Sequence, residues 1–129
     1  MPTLKEVEAF LEALHLKLAF QEVHFIYRPE YISAYAELYT WGYPPNELTK
    51  IIKELTPENY SEGPIEDTQN IPSKGQLWIF GKKIGPKYKT NSKKKVEYYI
   101  KVQIGYENDK IICISFHPSK FAMKYPNLV

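Results

Sequence analysis

Apolar and polar positions change period several times along the chain, and each change marks an element. Thr3, Leu4, Lys5 and Glu6 have the spacing of a capping box, in which Thr3 accepts from the Glu6 backbone N–H while the Glu6 carboxylate reaches back. Leu4, Val7, Leu11 and Leu14 then recur at helical spacing, with Glu6, Glu8 and Glu12 outside the stripe, which predicts a two-sided surface helix. From Leu16 the alternation of Leu16, Leu18 and Phe20 with Lys17 and Ala19, continued by Val23, Phe25 and Ile26, predicts a strand over roughly 16–27. Pro29 opens a short helix through Tyr31, Ala34, Tyr35 and Leu38, ending near Gly42. After Pro44 and Pro45, the stripe Leu48, Ile51, Ile52, Leu55 predicts a helix over Asn46–Leu55. Thr56-Pro57-Glu58 reads as a helix or turn start, and residues 59–74, which hold Gly63-Pro64 and Ile71-Pro72, read as a loop.

Three strands are predicted next: Gln76–Lys82, Val96–Ile104 and Lys110–Phe116. Opposed residues of an antiparallel pair share a face, and a one-residue slip exchanges the faces. Pairing Ile104 with Ile112, Val102 with Ile114 and Ile100 with Phe116 collects six large apolar side chains on one side. Gln103 then faces Cys113, Lys101 faces Ser115, and Tyr99 faces His117. A slip would bury Ser115 and His117 among the apolar set, at about 1–3 kcal/mol for each unsatisfied polar group. This register gathers a phenol, a fixed cation and an imidazole on one polar face, a set suited to phosphate chemistry and proton transfer. An ordinary solvated sheet face with a tyrosine–histidine pair is the plainer reading of the same spacing.

Composition adds one fact to this picture. The net charge of +2 conceals a division: residues 1–75 carry six basic and twelve acidic side chains, residues 76–129 eleven and three. A basic second half points either to two opposed surfaces or to a polyanionic partner. Lys82, Lys83, Lys87, Lys89, Lys93, Lys94 and Lys95 fall between two predicted strands, where each can neutralise a phosphate, and Trp78, Tyr88, Tyr98 and Tyr99 offer surfaces for unpaired bases. Trp78 at a strand centre equally suits a core, and a lysine-rich loop can be merely solvated. With one cysteine, Cys113, the chain has no internal disulfide and no multi-cysteine zinc site. The chain has neither a membrane-length apolar run nor an N-terminal signal pattern, which leads us to expect a cytoplasmic protein. His15 and His24 lack ligand partners in the sequence and read as structural. We expect one domain, 1–129, of α+β class.

Several blocks resemble the MqsR-type toxins, RelE-like mRNA interferases of toxin–antitoxin systems. They are Leu55-Thr56-Pro57-Glu58-Asn59-Tyr60-Ser61-Glu62-Gly63-Pro64, Leu77-Trp78-Ile79-Phe80-Gly81-Lys82, Tyr99-Ile100-Lys101, Cys113-Ile114-Ser115-Phe116-His117-Pro118 and Tyr125-Pro126. The resemblance covers about residues 46–126. It implies a RelE-like fold, with N-terminal helices packed on a mostly antiparallel sheet, and an endoribonuclease that cleaves mRNA with no metal and no cofactor. It also implies a cognate antitoxin protein as partner, and admits a homodimer. On this resemblance Tyr99 and Lys101 match the family's functional tyrosine and lysine. The family's turn lysine falls near Ser61 or Glu62, its glutamine on Ile79, and its last lysine on His117. The candidate catalytic set is therefore Tyr99, Lys101, His117, Lys82 and Glu62, and the candidate RNA-binding set Trp78, Lys83, Lys87, Lys93, Lys94 and Lys95. A non-catalytic RNA- or protein-binding module of the same fold is the alternative.

Overall fold

Thr3 caps the first helix, α1 (Leu4–Leu18), in the computed structural model of the chain, with both halves of the capping box formed. The structure describes residues 1–66, 75–87, 95–106 and 109–128. Helix α1 runs on through Leu18, four residues beyond Leu14 on the same stripe, and this overrides the predicted strand at 16–27. Leu16 and Phe20, counted as strand positions, are 65% and 86% exposed. Only β1 (His24–Phe25) remains of that strand. A 3-10 turn, Pro29–Tyr31, leads into α2 (Ile32–Thr40), and Gly42 at φ 100 follows the helix end, a conformation that suits glycine. Pro45 opens α3 (Pro45–Lys53).

A second capping box, Thr56 with Asn59, starts the 3-10 turn Pro57–Asn59. It delivers the chain into β2 (Tyr60–Glu66), where the sequence had read as loop. Two irregularities in the pairing of β2 with β3 (Gln76–Ile84) absorb the turn-forming residues. Gly63 takes φ 110 there, and a Cβ on it would come within 2.6 Å of the Leu77 carbonyl. An edge strand with bulges can hold the Gly-Pro pair that an inner strand cannot. Residues 67–74, with Ile71-Pro72, lie outside the described residues.

The sheet is completed by β4 (Val96–Ile104) and β5 (Ile111–Pro118), in the order β1-β5-β4-β3-β2, with β1 parallel to β5 and every other pair antiparallel. Leu11, Leu14, Leu38, Ile52, Phe80, Ile100 and Phe116 belong to one hydrophobic cluster between the helices and the sheet. His15 ties α1 to α3 through the Ile52 carbonyl at 3.2 Å, and His24 is exposed on β1. Among the described residues no helix is long and apolar enough to cross a membrane.

Along β4 and β5 the predicted register holds at one end and shifts at the other. Tyr99 pairs with His117, Ile100 with Phe116 and Lys101 with Ser115, as expected. Beyond a bulge, Val102 pairs with Cys113, Gln103 with Ile112 and Ile104 with Ile111, so the expected pairs Ile104–Ile112 and Val102–Ile114 are overturned. The shift sends the fully buried Ile111 and Cys113 into the core and leaves Ile112 and Ile114 half-buried. Within the bulge the Cys113 thiol donates to the Ser115 carbonyl at 3.2 Å.

Candidate functional site

Cross-strand pairing assigns the side chains of β3 and β4 to two faces. Trp78, Phe80 and Lys82 pair with Val102, Ile100 and Tyr98 on the helix side; Ile79, Gly81 and Lys83 pair with Lys101, Tyr99 and Glu97 on the outer side. One outer row runs Glu62, Ile79, Lys101, Ser115, and the next runs Gly81, Tyr99, His117. Tyr99, Lys101, His117 and Glu62 are therefore brought together. Lys82 is half-buried on the opposite face and is separated from them by strand alternation.

Because β1 pairs only with Ile112 and Cys113, β5 is an edge where it carries His117, and the 3-10 turn reaches that edge. Tyr31 stacks on the imidazole at 4.0 Å between centroids and 9° between planes. On the other side Tyr99 stacks at 5.3 Å and 19°. The ring is thus held between two phenols and is only 7% exposed. Lys120 Nζ lies 5.6 Å from the Tyr31 centroid, and Lys101 Nζ 5.6 Å from that of Tyr99, so a cation flanks each tyrosine.

Protonation follows from these contacts. His117 Nδ1 meets the Pro118 carbonyl at 2.8 Å, and a carbonyl can only accept, so Nδ1 carries the proton and Nε2 of the neutral ring holds the lone pair. Burial pushes the imidazole below its ordinary pKa, and Lys120 and Lys101 push the same way against the opposing carbonyl bond. Burial raises the Tyr99 phenol, with Glu62 and Tyr31 adding to the effect, so it remains a proton donor at neutral pH. A groove of about 330 Å³, lined by Glu30, Tyr31, Glu37, Pro118 and Lys120 among others, reaches His117 from the α2 side. Chemically, the cluster offers a neutral base, a protonated phenol and two ammonium groups around one ring.

Residues 119–128 cross the outer face beside this cluster. Phe121 meets Tyr99 edge-on at 6.2 Å, Glu97 accepts from Met123 N–H at 3.2 Å and from the Tyr125 hydroxyl at 2.7 Å, and Asn127 donates to the Pro57 carbonyl at 3.4 Å. Tyr31, Lys120, Phe121 and Glu97 were missed by sequence reasoning. The only signal for this segment was the Tyr125-Pro126 block.

The RNA-binding set is dispersed. Trp78 is 7% exposed, stacks on Phe10 at 4.4 Å and belongs to the core, which corrects its reading as an open stacking surface. Lys87 is turned toward α3, where its ammonium pairs with Glu47 at 2.8 Å and its backbone N–H bonds the Trp41 carbonyl, so it does not join the outer face. Lys83 is exposed on the outer face beside Glu97, and Lys95 is exposed at the start of β4. Lys93 and Lys94, with Tyr88 and Lys89, lie outside the described residues. Tyr98, also considered for stacking, is fully buried, its hydroxyl without a hydrogen-bond partner among the described residues and its pKa pushed up to about 12, mainly by burial.

A second groove, about 530 Å³, is lined by Tyr27, Tyr35, Tyr39 and Tyr43 together with mostly apolar residues of α2 and α3; the described residues that line it include neither cation nor carboxylate. Among the described residues no three His, Cys, Asp or Glu side chains form a group able to hold a metal. Compared with known protein families, curated proteins and solved structures, the chain has no match.

Proposed function

We propose that this chain is an endoribonuclease toxin of the MqsR-like, RelE-like kind, part of a type II toxin–antitoxin system, cutting mRNA with its own side chains and held inactive by an antitoxin protein. The observation that carries the reading is His117, neutral at Nε2, stacked between Tyr31 and Tyr99 with Lys101 and Lys120 at the flanks. Nε2 takes the proton of a ribose 2′-hydroxyl, whose oxygen attacks the adjacent phosphorus. The bond to the 5′-oxygen breaks, leaving a 2′,3′-cyclic phosphate and a 5′-hydroxyl, the departing oxygen taking its proton from water. Tyr99 donates a hydrogen bond to the phosphate or the departing oxygen, and Lys101 offsets the charge that develops there. Glu62, exposed in the neighbouring row, is a second base within the same face. Lys82 has no part in this arrangement.

The test is a single-stranded oligoribonucleotide carrying one 2′-deoxy substitution at each position in turn. Cleavage should yield cyclic phosphate ends and stop when the nucleotide before the cut lacks its 2′-hydroxyl. A second reading, an RNA-binding module without catalysis, is favoured by the low exposure of His117 and the covering of both its faces. It predicts a gel shift with the oligonucleotide intact.

A further inference from the structure

Tyr99 has an unusual neighbour on β3. Its cross-strand partner there is Gly81, which has no side chain to hold the ring from that side. A Cβ on Gly81 would collide with the Tyr125 hydroxyl and Met123 Sδ, so the gap is filled by the C-terminal segment. Besides the Asn127 bond to the Pro57 carbonyl, that segment is fastened by Glu97. Both carboxylate oxygens of Glu97 accept from it, one from Met123 N–H and one from the Tyr125 hydroxyl, while the Glu97 carbonyl accepts from Ser119 N–H at 2.8 Å. Burial, with Glu97 adding to it, raises the Tyr125 phenol, which therefore stays a donor. Between these anchors Phe121 meets Tyr99, and Met123 is buried.

Building on the reading above, we propose that residues 119–128 form a strap that fixes Tyr99 for the reaction, and that Glu97 is the positioning residue that holds the strap. The half-buried Tyr99 ring has His117 on the β5 side and Phe121 of the strap edge-on to it. Releasing the strap leaves the phenol free to leave the geometry that aims it at phosphate, and small misplacements of a catalytic group are costly in rate.

The experiment compares Glu97→Ala, Glu97→Gln and Gly81→Ala by steady-state cleavage of an oligoribonucleotide and by the NMR signals of the Tyr99 ring. Glu97→Ala should lower kcat about 10–100-fold with KM nearly unchanged, and should move the ring signals. Glu97→Gln keeps an acceptor for Met123 N–H and a group that can pair with the Tyr125 hydroxyl, so it should restore both readouts. Gly81→Ala leaves Glu97 in place but displaces flexible side-chain ends, and should reproduce the loss in folded protein even if Glu97→Ala fails to fold. Unchanged kcat and unchanged ring signals in the folded variants overturn the inference. If wild-type protein leaves RNA intact, the ribonuclease reading fails by itself. The strap's hold on Tyr99 then stands if the ring signals move and falls if they do not.

Discussion

Tyr98 and Tyr99 are adjacent in sequence and lie on opposite faces of the sheet. Tyr98 is fully buried against Phe116 and Trp41, and its hydroxyl has no hydrogen-bond partner among the described residues. Tyr99 is half-buried beside an imidazole and an ammonium group. The contrast teaches that strand alternation decides which of two identical side chains serves packing and which is available for chemistry. It also divides the lysines, since Lys82 goes with Tyr98 and Lys101 with the face of Tyr99.

The sharpest way to break this contrast is on the outer face. His117→Ala should reduce cleavage by about 10²–10⁴-fold, the contribution of one positioned acid or base, with circular dichroism unchanged and RNA affinity altered much less. Wild-type rates from folded mutant protein would place the chemistry elsewhere. The pH–rate profile should bend as His117 takes up a proton. Replacing His117 with Lys, the residue at this position in the proposed family, should remove that bend even where activity survives. On the helix side the largest effect should be on stability: Trp78→Ala should cost about 3–5 kcal/mol in denaturant unfolding, because the ring is stacked on Phe10 within the core. Loss of RNA affinity without loss of stability would return Trp78 to the binding surface.

Removing one hydroxyl from each tyrosine tests the comparison most directly. Tyr98→Phe discards a buried group that has no partner among the described residues and should leave stability unchanged or raise it by about 1 kcal/mol. Tyr99→Phe should leave stability alone and slow cleavage about tenfold, the share expected of one hydrogen bond to developing charge. The smallest effect concerns pH. His117 is held below its ordinary value of 6.5, so the folded chain gives up this proton more readily than the unfolded chain. That contribution to stability is complete above about pH 6.5 and is lost as pH falls through the folded value. Unfolding midpoints should therefore rise with pH across this window in the wild type and flatten in His117→Ala.

Much of this was legible because periodicity is local. The stripes of α1 and α3 and the alternation in β4 each lie within one element, and the pairing of Tyr99 with His117 followed from keeping polar groups out of the core. What stayed hidden depended on partners distant in sequence. Gly63 and Pro64 look like a turn until β3 is placed beside them. In β5, Ile111, Ile112, Ile114 and Phe116 supply apolar residues in both phases, so alternation alone could not locate the bulge. Tyr31 reaches His117 only through the tertiary fold, and no spacing in the sequence joins the two.

The bulge has a consequence for changes of chain length. Ile114 is the residue without a place in the β4–β5 ladder, since Lys101 faces Ser115 and Val102 faces Cys113. Deleting it would join two stretches already in phase, with Ile111, Cys113 and Phe116 inward and Ile112, Ser115 and His117 outward. Deleting Ile112 or Phe116 would instead turn one stretch over, exchanging core and outer residues. A strand interior is ordinarily the worst place to lose a residue. In this strand, a single-residue deletion scan across 111–117 should find its tolerated gap at 114.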